Sequence, residues 1–109
     1  MAGPSDSLVR DYLPGASGIT IESIIDRVSR EFDIQPVLVR SNSRQRILSR
    51  ARSIVCWLSV EKLAESSKRV ALILGMSPSA VSKALQRGRK DNRSESIWRD
   101  IVKQHRIAR

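Results

Sequence analysis

Hydrogen-bonding and cationic side chains recur at helical spacing in the second half of the sequence. Ser79, Ser82, Lys83 and Gln86 follow one another at intervals of three, one and three residues, which places them on one face of an α-helix. Lysine and glutamine side chains can hydrogen-bond the edges of guanine and adenine in the major groove of DNA. The spacing therefore predicts a helix that contacts base edges through a face without acidic residues.

The segment that carries this face, Val70 to Arg89, has the spacing of a helix-turn-helix. Ala71, Gly75 and Val81 stand four and six residues apart. We expect Ala71 to allow the second helix to cross closely, and Gly75 to supply a positive φ in the turn. Val81 is the branched residue that would anchor the second helix in the core.

Local signals predict where the second helix begins and ends. Ser77 can accept a hydrogen bond from a free backbone N–H, and Pro78 suits the first helical position, where no donor is needed. Gly88 is predicted to end the helix, because glycine commonly follows the last helical residue.

A second basic cluster lies before this segment, in the sequence SNSRQRILSRARS from Ser41 to Ser53. Its four arginines are Arg44, Arg46, Arg50 and Arg52. The first two fall in an irregular stretch, and the last two lie near the start of a helix that is predicted to extend to about Ala64. Loop arginines can follow a phosphate backbone or enter a narrow minor groove, where the negative potential is enhanced. We predict such contacts here, and further backbone contacts by Lys68, Arg69, Arg87 and Arg89.

The net charge of +9 is concentrated in one part of the chain. Between Ile34 and Lys90 there are twelve Lys or Arg residues and two acids, a net charge of +10, whereas the first 33 residues carry −3. Ion pairing within the segment cannot satisfy most of these cations. A polyanionic partner is therefore favoured, because neutralising phosphates releases counterions. The alternative is a basic protein whose charged face is simply solvated.

Length and composition indicate a single domain and exclude several classes of protein. The 109 residues are enough for one compact core and too few for two. No apolar run approaches the roughly 18 residues needed to span a bilayer, and no secretion signal is evident at the N-terminus. The single cysteine, Cys56, excludes an internal disulfide and fits a reducing cytoplasm, where we expect association with the nucleoid.

The sequence offers no set of residues for catalysis or metal binding. It contains no phosphate-binding loop, no paired cysteines and no zinc-binding histidine motif. A catalytic Cys56 would need a nearby general base, and the one histidine, His105, lies close to the C-terminus. We therefore predict neither enzymatic activity nor a cofactor.

The rest of the sequence predicts an all-α fold. A helix from about Thr20 to Phe32 carries apolar residues on one face, and Pro36 opens a short helical turn through Arg40. The long helix that follows is predicted to bury a stripe made of Ile47, Ala51, Ile54, Val55 and Leu58.

A last helix is predicted after Asp91, capped by Ser94. Its narrow apolar face consists of Ile97, Trp98, Ile101 and Val102. We expect this face to pack on the domain of a monomer, and a weak dimer through Trp98 and Ile101 is the alternative. The predicted organisation is a linker at residues 1–18, a DNA-binding domain at 19–90 and a helical extension at 91–109.

The order of elements resembles the C-terminal origin-binding domain of the bacterial replication initiator DnaA. The resemblance is carried by ITIESIIDRVSREFDI, SNSRQRILSRARS and the helix-turn-helix. It implies that Arg44 enters the minor groove, that Arg46, Arg50 and Arg52 occupy the other basic-loop positions, and that the last helix pair reads the major groove. The family's Asp-His-Thr-Thr signature is replaced here by Ser77 to Ala80, which implies a different DNA target.

A closer likeness is to the DnaA-like C-terminal domain of transposases of the REP-associated tyrosine type. It is carried by SRARSIVCWLSVEKL and LGMSPSAVSKALQRG. The catalytic part of those enzymes uses a histidine pair, which this chain lacks. The likeness implies the DNA-binding part of a transposase-related or DnaA-related bacterial protein, with duplex DNA favoured over a hairpin. A second hypothesis is a protein-interaction module with a helix-turn-helix fold that no longer binds DNA.

Overall fold

Six α-helices form the fold in the computed structural model, which describes residues 18–41, 43 and 45–107. They are α1 Ile21–Glu31, α2 Pro36–Val39, α3 Arg46–Trp57, α4 Ser67–Leu74, α5 Pro78–Lys90 and α6 Ser94–Ile107. Helix α3 continues into a π-helical segment, Leu58–Lys62. No strand occurs in the described ranges, so the predicted all-α fold is confirmed. The predicted linker lies outside these ranges except for Gly18, as does Arg44.

Helix α1 begins where the sequence predicts, at a reciprocal cap. The Thr20 hydroxyl accepts a hydrogen bond from the Ser23 N–H at 3.1 Å, and the Ser23 hydroxyl accepts one from the Thr20 N–H at 2.9 Å. Two donors that the helix leaves free are thereby satisfied. The apolar face of α1 is buried through Ile21, Ile24, Ile25 and Val28.

Helix α3 runs through the core and supplies much of it. Its buried apolar residues include Leu48, Ala51, Ile54, Val55 and Leu58 of the π-helical segment. The prediction that Ile47 is buried is wrong, because 36% of its surface is exposed. The neighbouring Leu48 is the covered side chain in the first turn of α3, whereas on the flank of Ile47 burial begins one turn later, at Ala51.

Helix α6 packs on the same core, as predicted. Ile97 and Ile101 are buried, and Trp98 is half-buried against the core. Ile101 is covered within this chain, and the alternative of a weak dimer through Trp98 and Ile101 stays a prediction. An ion pair of 3.0 Å between Arg27 and Asp100 also joins α1 to α6.

The predicted cap of α6 takes a different form. Ser94 is the first residue of the helix, and its hydroxyl donates a hydrogen bond of 2.6 Å to the carbonyl oxygen of Gly88 in α5. The side chain of Ser94 thus joins two helices. No helix in the described part of the chain is long and apolar enough to cross a membrane.

Candidate nucleic-acid interface

The turn between α4 and α5 has the conformation that the sequence predicts. Gly75 ends α4 with φ 68° and ψ 35°, a left-handed conformation that favours glycine. The N–H of Met76 then donates a hydrogen bond of 2.9 Å to the carbonyl oxygen of Ala71. The three residues from Gly75 to Ser77 therefore change the direction of the chain between the end of α4 and the start of α5.

The start of α5 is fixed by its cap and by its anchor. The Ser77 hydroxyl accepts a hydrogen bond of 3.1 Å from the N–H of Ala80, and Pro78 occupies the first helical position. Val81 and Ala84 are buried on the inner face. The predicted cap and the predicted anchor are both confirmed.

The outer face of α5 presents the side chains that the sequence assigns to base recognition. The side chains of Ser79, Ser82, Lys83 and Gln86 are all exposed. Lys90, four residues after Gln86, extends the same face by another turn. Within the described ranges no carboxylate lies within ion-pair distance of Lys83 or Lys90. We call these five residues the outer α5 face.

The prediction that Gly88 ends the helix is wrong, because α5 continues to Lys90 and so adds that lysine to the exposed face. Gly88 lies inside α5 and is buried against α3. A Cβ atom at this position would lie 2.8 Å from the carbonyl carbon of Ser53 and 2.8 Å from Cβ of Trp57. Glycine is thus required for the close approach of the two helix backbones rather than for a turn.

Arg50 is exposed in part, but its guanidinium is occupied. Its Nε donates to Oδ2 of Asp91 at 2.7 Å and its Nη2 donates to Oδ1 at 2.9 Å, a bidentate pair that joins the start of α3 to the end of α5. The hydrogen bond with Asp91 raises the pKa of Arg50, and the same bond lowers the pKa of Asp91. The guanidinium also lies 5.0 Å from the ring centroid of Phe32.

Arg52 does not have the exposed position that a contact with DNA requires. Only 9% of its surface is exposed. Its Nε donates to the carbonyl oxygen of Val39 at 2.8 Å, and its Nη2 donates to those of Ser41 and Ser43 at 2.7 Å each. The predicted DNA contact is thus replaced by contacts with the chain's own backbone. Sequence alone could not show this, because the partners are carbonyl groups that any residue supplies.

The other basic residues that are predicted to contact DNA differ in how far their side chains are engaged by neighbouring side chains. Arg46 and Lys68 are exposed. Arg69 pairs with Glu65 at 3.3 Å and Arg89 with Glu61 at 4.0 Å, both on the surface. Nε of Arg87 donates to the Ser53 hydroxyl at 3.4 Å.

One surface groove brings the two basic regions together. It has a volume of about 320 Å³ and is lined by Arg46, Ser49, Arg50, Ser53, Arg87 and Asp91. The start of α3, which carries Arg46 and Arg50, therefore adjoins the last turns of α5. Arg46 is the first residue of α3, so the prediction that it lies in the irregular stretch is wrong. Lys68 and Arg69 belong to α4 and do not line this groove.

The described residues do not assemble a nucleophile or a metal site. Cys56 is fully buried, and burial raises the pKa of its thiol to about 12. A thiol with this pKa is protonated at neutral pH and is a poor nucleophile. Within the described ranges no cluster of His, Cys, Asp and Glu side chains could hold a metal ion.

Comparison with known proteins connects this geometry to a family. Residues 21–87 match the family model described as the bacterial DnaA protein helix-turn-helix. The chain is 37% identical over 86 residues to the chromosomal replication initiator protein DnaA of Helicobacter hepaticus, an alignment that covers 78% of this chain and 19% of that protein.

Two further relatives carry the same name. Identity to the DnaA protein of Wolinella succinogenes is 29% over 87 residues, covering 79% of this chain and 20% of that protein. Identity to the DnaA protein of Nautilia profundicola is 34% over 82 residues, covering 74% and 19%. The chain thus spans about a fifth of the length of these relatives. No solved structure matched the chain.

Proposed function

The chain belongs to the bacterial DnaA helix-turn-helix family, and from this premise we propose that it binds double-stranded DNA in a sequence-specific manner. In this proposal α5 lies in the major groove, where Ser79, Ser82, Lys83 and Gln86 contact base edges. The observation that carries the proposal is the outer α5 face, which is exposed and free of acids. The opposite face of the same helix is fixed in the core by Val81, Ala84 and Gly88.

A second set of contacts in the proposal is made to phosphates and to the minor groove. Arg46 is exposed at the start of α3, beside the groove that leads to Arg87. Arg44 is proposed to enter the minor groove, on the strength of the sequence alone. Lys68, Arg69, Arg87 and Arg89 are proposed to contact phosphates. The exposed ion pairs of Arg69 and Arg89 contribute little in the free protein, so exchanging a carboxylate for a phosphate costs little.

We also propose that this chain is the DNA-binding part of a transposase-related or DnaA-related protein, without catalytic activity of its own. The match to one part of the DnaA relatives, about a fifth of their length, supports the DnaA relation. The segments SRARSIVCWLSVEKL and LGMSPSAVSKALQRG support the transposase relation. Since Ser77 to Ala80 replace the signature of the initiator, the recognised site is proposed to differ from the replication-origin box.

The test begins with selection of bound duplexes from a random pool, followed by fluorescence anisotropy at several salt concentrations. We expect selected duplexes to bind more tightly than unrelated ones, and log affinity to fall linearly with log salt by about 0.9 for each phosphate contacted. Absence of binding at low salt, or binding without sequence preference, would contradict the proposal.

Matched variants locate the interface. Lys83→Ala and Gln86→Ala change the outer α5 face, whereas Lys103→Ala and Gln104→Ala make the same chemical changes on exposed positions of α6. We expect the first pair to weaken binding to the selected duplex and the second pair to leave it unchanged. Equal effects of the two pairs would place the interface elsewhere.

The alternative, a protein-interaction module, has one observation in its favour. Leu72, on the outer side of α4, is 83% exposed. A partner that covers this side chain would remove its apolar surface from water, which is favourable. Two results would favour the alternative. One is a tight oligomer in sedimentation analysis that dissociates in Leu72→Ser, and the other is an unchanged anisotropy titration with duplex DNA for the Arg44→Ala and Lys83→Ala double variant.

A further inference from the structure

Arg52 is a buried cation whose partners are all backbone carbonyl groups. Its three hydrogen bonds, each 2.7 or 2.8 Å long, reach Val39, Ser41 and Ser43, which are alternate residues along the chain. Within the described ranges no carboxylate pairs with Arg52. Burial lowers its pKa from the ordinary value, and the charge-assisted hydrogen bonds offset the loss of water.

The segment that Arg52 holds runs from Val39 to Ser43, and its first residue is also fixed in the core, because the Val39 side chain is fully buried. The Ser41 hydroxyl donates to the Leu38 carbonyl at 2.7 Å, and the Ser43 N–H donates to the Ser41 hydroxyl at 3.2 Å. These bonds are local and join residues close together in the chain. Beyond Val39, the guanidinium of Arg52 ties the described residues of the segment to α3 by hydrogen bonds to Ser41 and Ser43.

Arg40 lies between two of the carbonyl groups that Arg52 holds. Its side chain is exposed, and it shares a surface groove with Glu22 and Asp26, although within the described ranges neither carboxylate forms an ion pair with it. Its carbonyl oxygen lies near the turn of the helix-turn-helix, 3.5 Å from where a Cβ atom on Gly75 would be. The backbone of Arg40 is therefore fixed on one side by Arg52 and on the other by the turn that precedes α5.

We propose that Arg40 contacts a DNA phosphate beside the helix-turn-helix, and that Arg52 is a positioning residue that holds Arg40 in place without touching DNA. This inference rests on the proposed DNA binding. Because the backbone of Arg40 lies next to the turn that precedes α5, its exposed side chain adds a cation on this side of the helix-turn-helix. The buried guanidinium of Arg52 fixes the backbone that carries Arg40, because a planar guanidinium can hold several acceptors at set angles.

The test compares Arg40→Ala, Arg52→Lys and the double variant by anisotropy with a fluorescein-labelled duplex from the selection. Arg40→Ala should lower affinity roughly five- to tenfold near physiological salt and reduce the salt slope by about 1. Arg52→Lys keeps the positive charge but loses the planar guanidinium with its several donors, and should weaken binding by a similar factor. Adding Arg40→Ala to Arg52→Lys should then cost little more, since both remove one contact.

The opposite pattern would overturn the proposal. If Arg52 contacted phosphate directly, lysine would replace it with little loss and the effects of the two substitutions would multiply. Wild-type affinity in Arg40→Ala would remove the proposed contact. Circular dichroism of each variant shows whether it is folded.

A measurement on the wild-type protein without DNA separates this inference from the proposed function and does not depend on a variant. In NMR spectra the guanidinium protons of Arg52 should be resolved and exchange slowly with water, whereas those of Arg46 should exchange fast. Addition of the duplex should shift the Arg40 side-chain signals and leave those of Arg52 in place. Fast exchange at Arg52 in the free protein would refute its positioning role even if DNA binds. Failure of every duplex to bind would refute the proposed function, and with it the Arg40 contact, even if exchange at Arg52 is slow.

Discussion

Gly88→Ala tests the closest approach in the fold, that of α5 to α3. Judged by helix propensity alone, the change should stabilise α5 by about 1 kcal/mol. The added Cβ atom would, however, lie 2.8 Å from the carbonyl carbon of Ser53 and 2.8 Å from Cβ of Trp57, whereas carbon atoms pack best at about 3.5–4.0 Å. The helices would have to separate by about 1 Å, and overpacking of this kind costs about 1–3 kcal/mol. We therefore expect a net loss of up to about 2 kcal/mol after the propensity gain of about 1 kcal/mol is subtracted.

Urea denaturation of Gly88→Ala and of Ser82→Ala measures this effect with an internal control. Ser82 lies on the exposed face of the same helix, where an alanine meets no neighbour and should be neutral or slightly stabilising. For a domain of this size a loss of 1 kcal/mol lowers the melting temperature by about 4–8 °C. A Gly88→Ala protein as stable as Ser82→Ala would refute the close contact of the two backbones.

Three further predictions follow from caps, ion pairs and burial. Ser77→Ala should destabilise the protein by about 1 kcal/mol in urea denaturation, and Ser77→Gly by less, because the hydroxyl cap on Ala80 is lost while glycine is tolerated at this position. Because Arg50 lowers the pKa of Asp91 in the folded state, the stabilisation is present above the unfolded pKa of about 3.9 and is lost as pH falls below it. Asp91→Asn should therefore flatten the stability profile between about pH 5 and pH 2, and a profile parallel to wild type would contradict the assignment. Cys56 should resist iodoacetamide at pH 8 in the folded protein and react once guanidinium unfolds it; rapid labelling of the native state would show that the thiol is accessible.

Features set by neighbouring residues could be predicted from the sequence. The start of α1 near Thr20, the left-handed Gly75 and the cap at Ser77 each depend on a few consecutive residues. The outer α5 face follows from helical periodicity once those ends are known. Local chemistry therefore defined the helix-turn-helix and the direction of its exposed face.

Features that depend on contacts between distant segments could not be predicted in the same way. Gly88 is the residue type that commonly ends a helix, but its position against the backbone of Ser53 makes it a close-packing residue inside α5. Arg52 has the same side chain as its exposed neighbours and differs through three carbonyl groups brought to it by α2 and the following segment. Ile47 and Leu48 are both apolar, and only the packing decides which is covered.

The attachment of the end of α5 has a thermodynamic consequence for DNA binding. Gly88 lies against α3, its carbonyl oxygen accepts the Ser94 hydroxyl, and Asp91 is joined to Arg50. Both ends of α5 are therefore held in place in the protein without DNA. Its association with DNA should need no coupled folding, so the heat-capacity change in calorimetry should correspond to the surface buried at the interface alone.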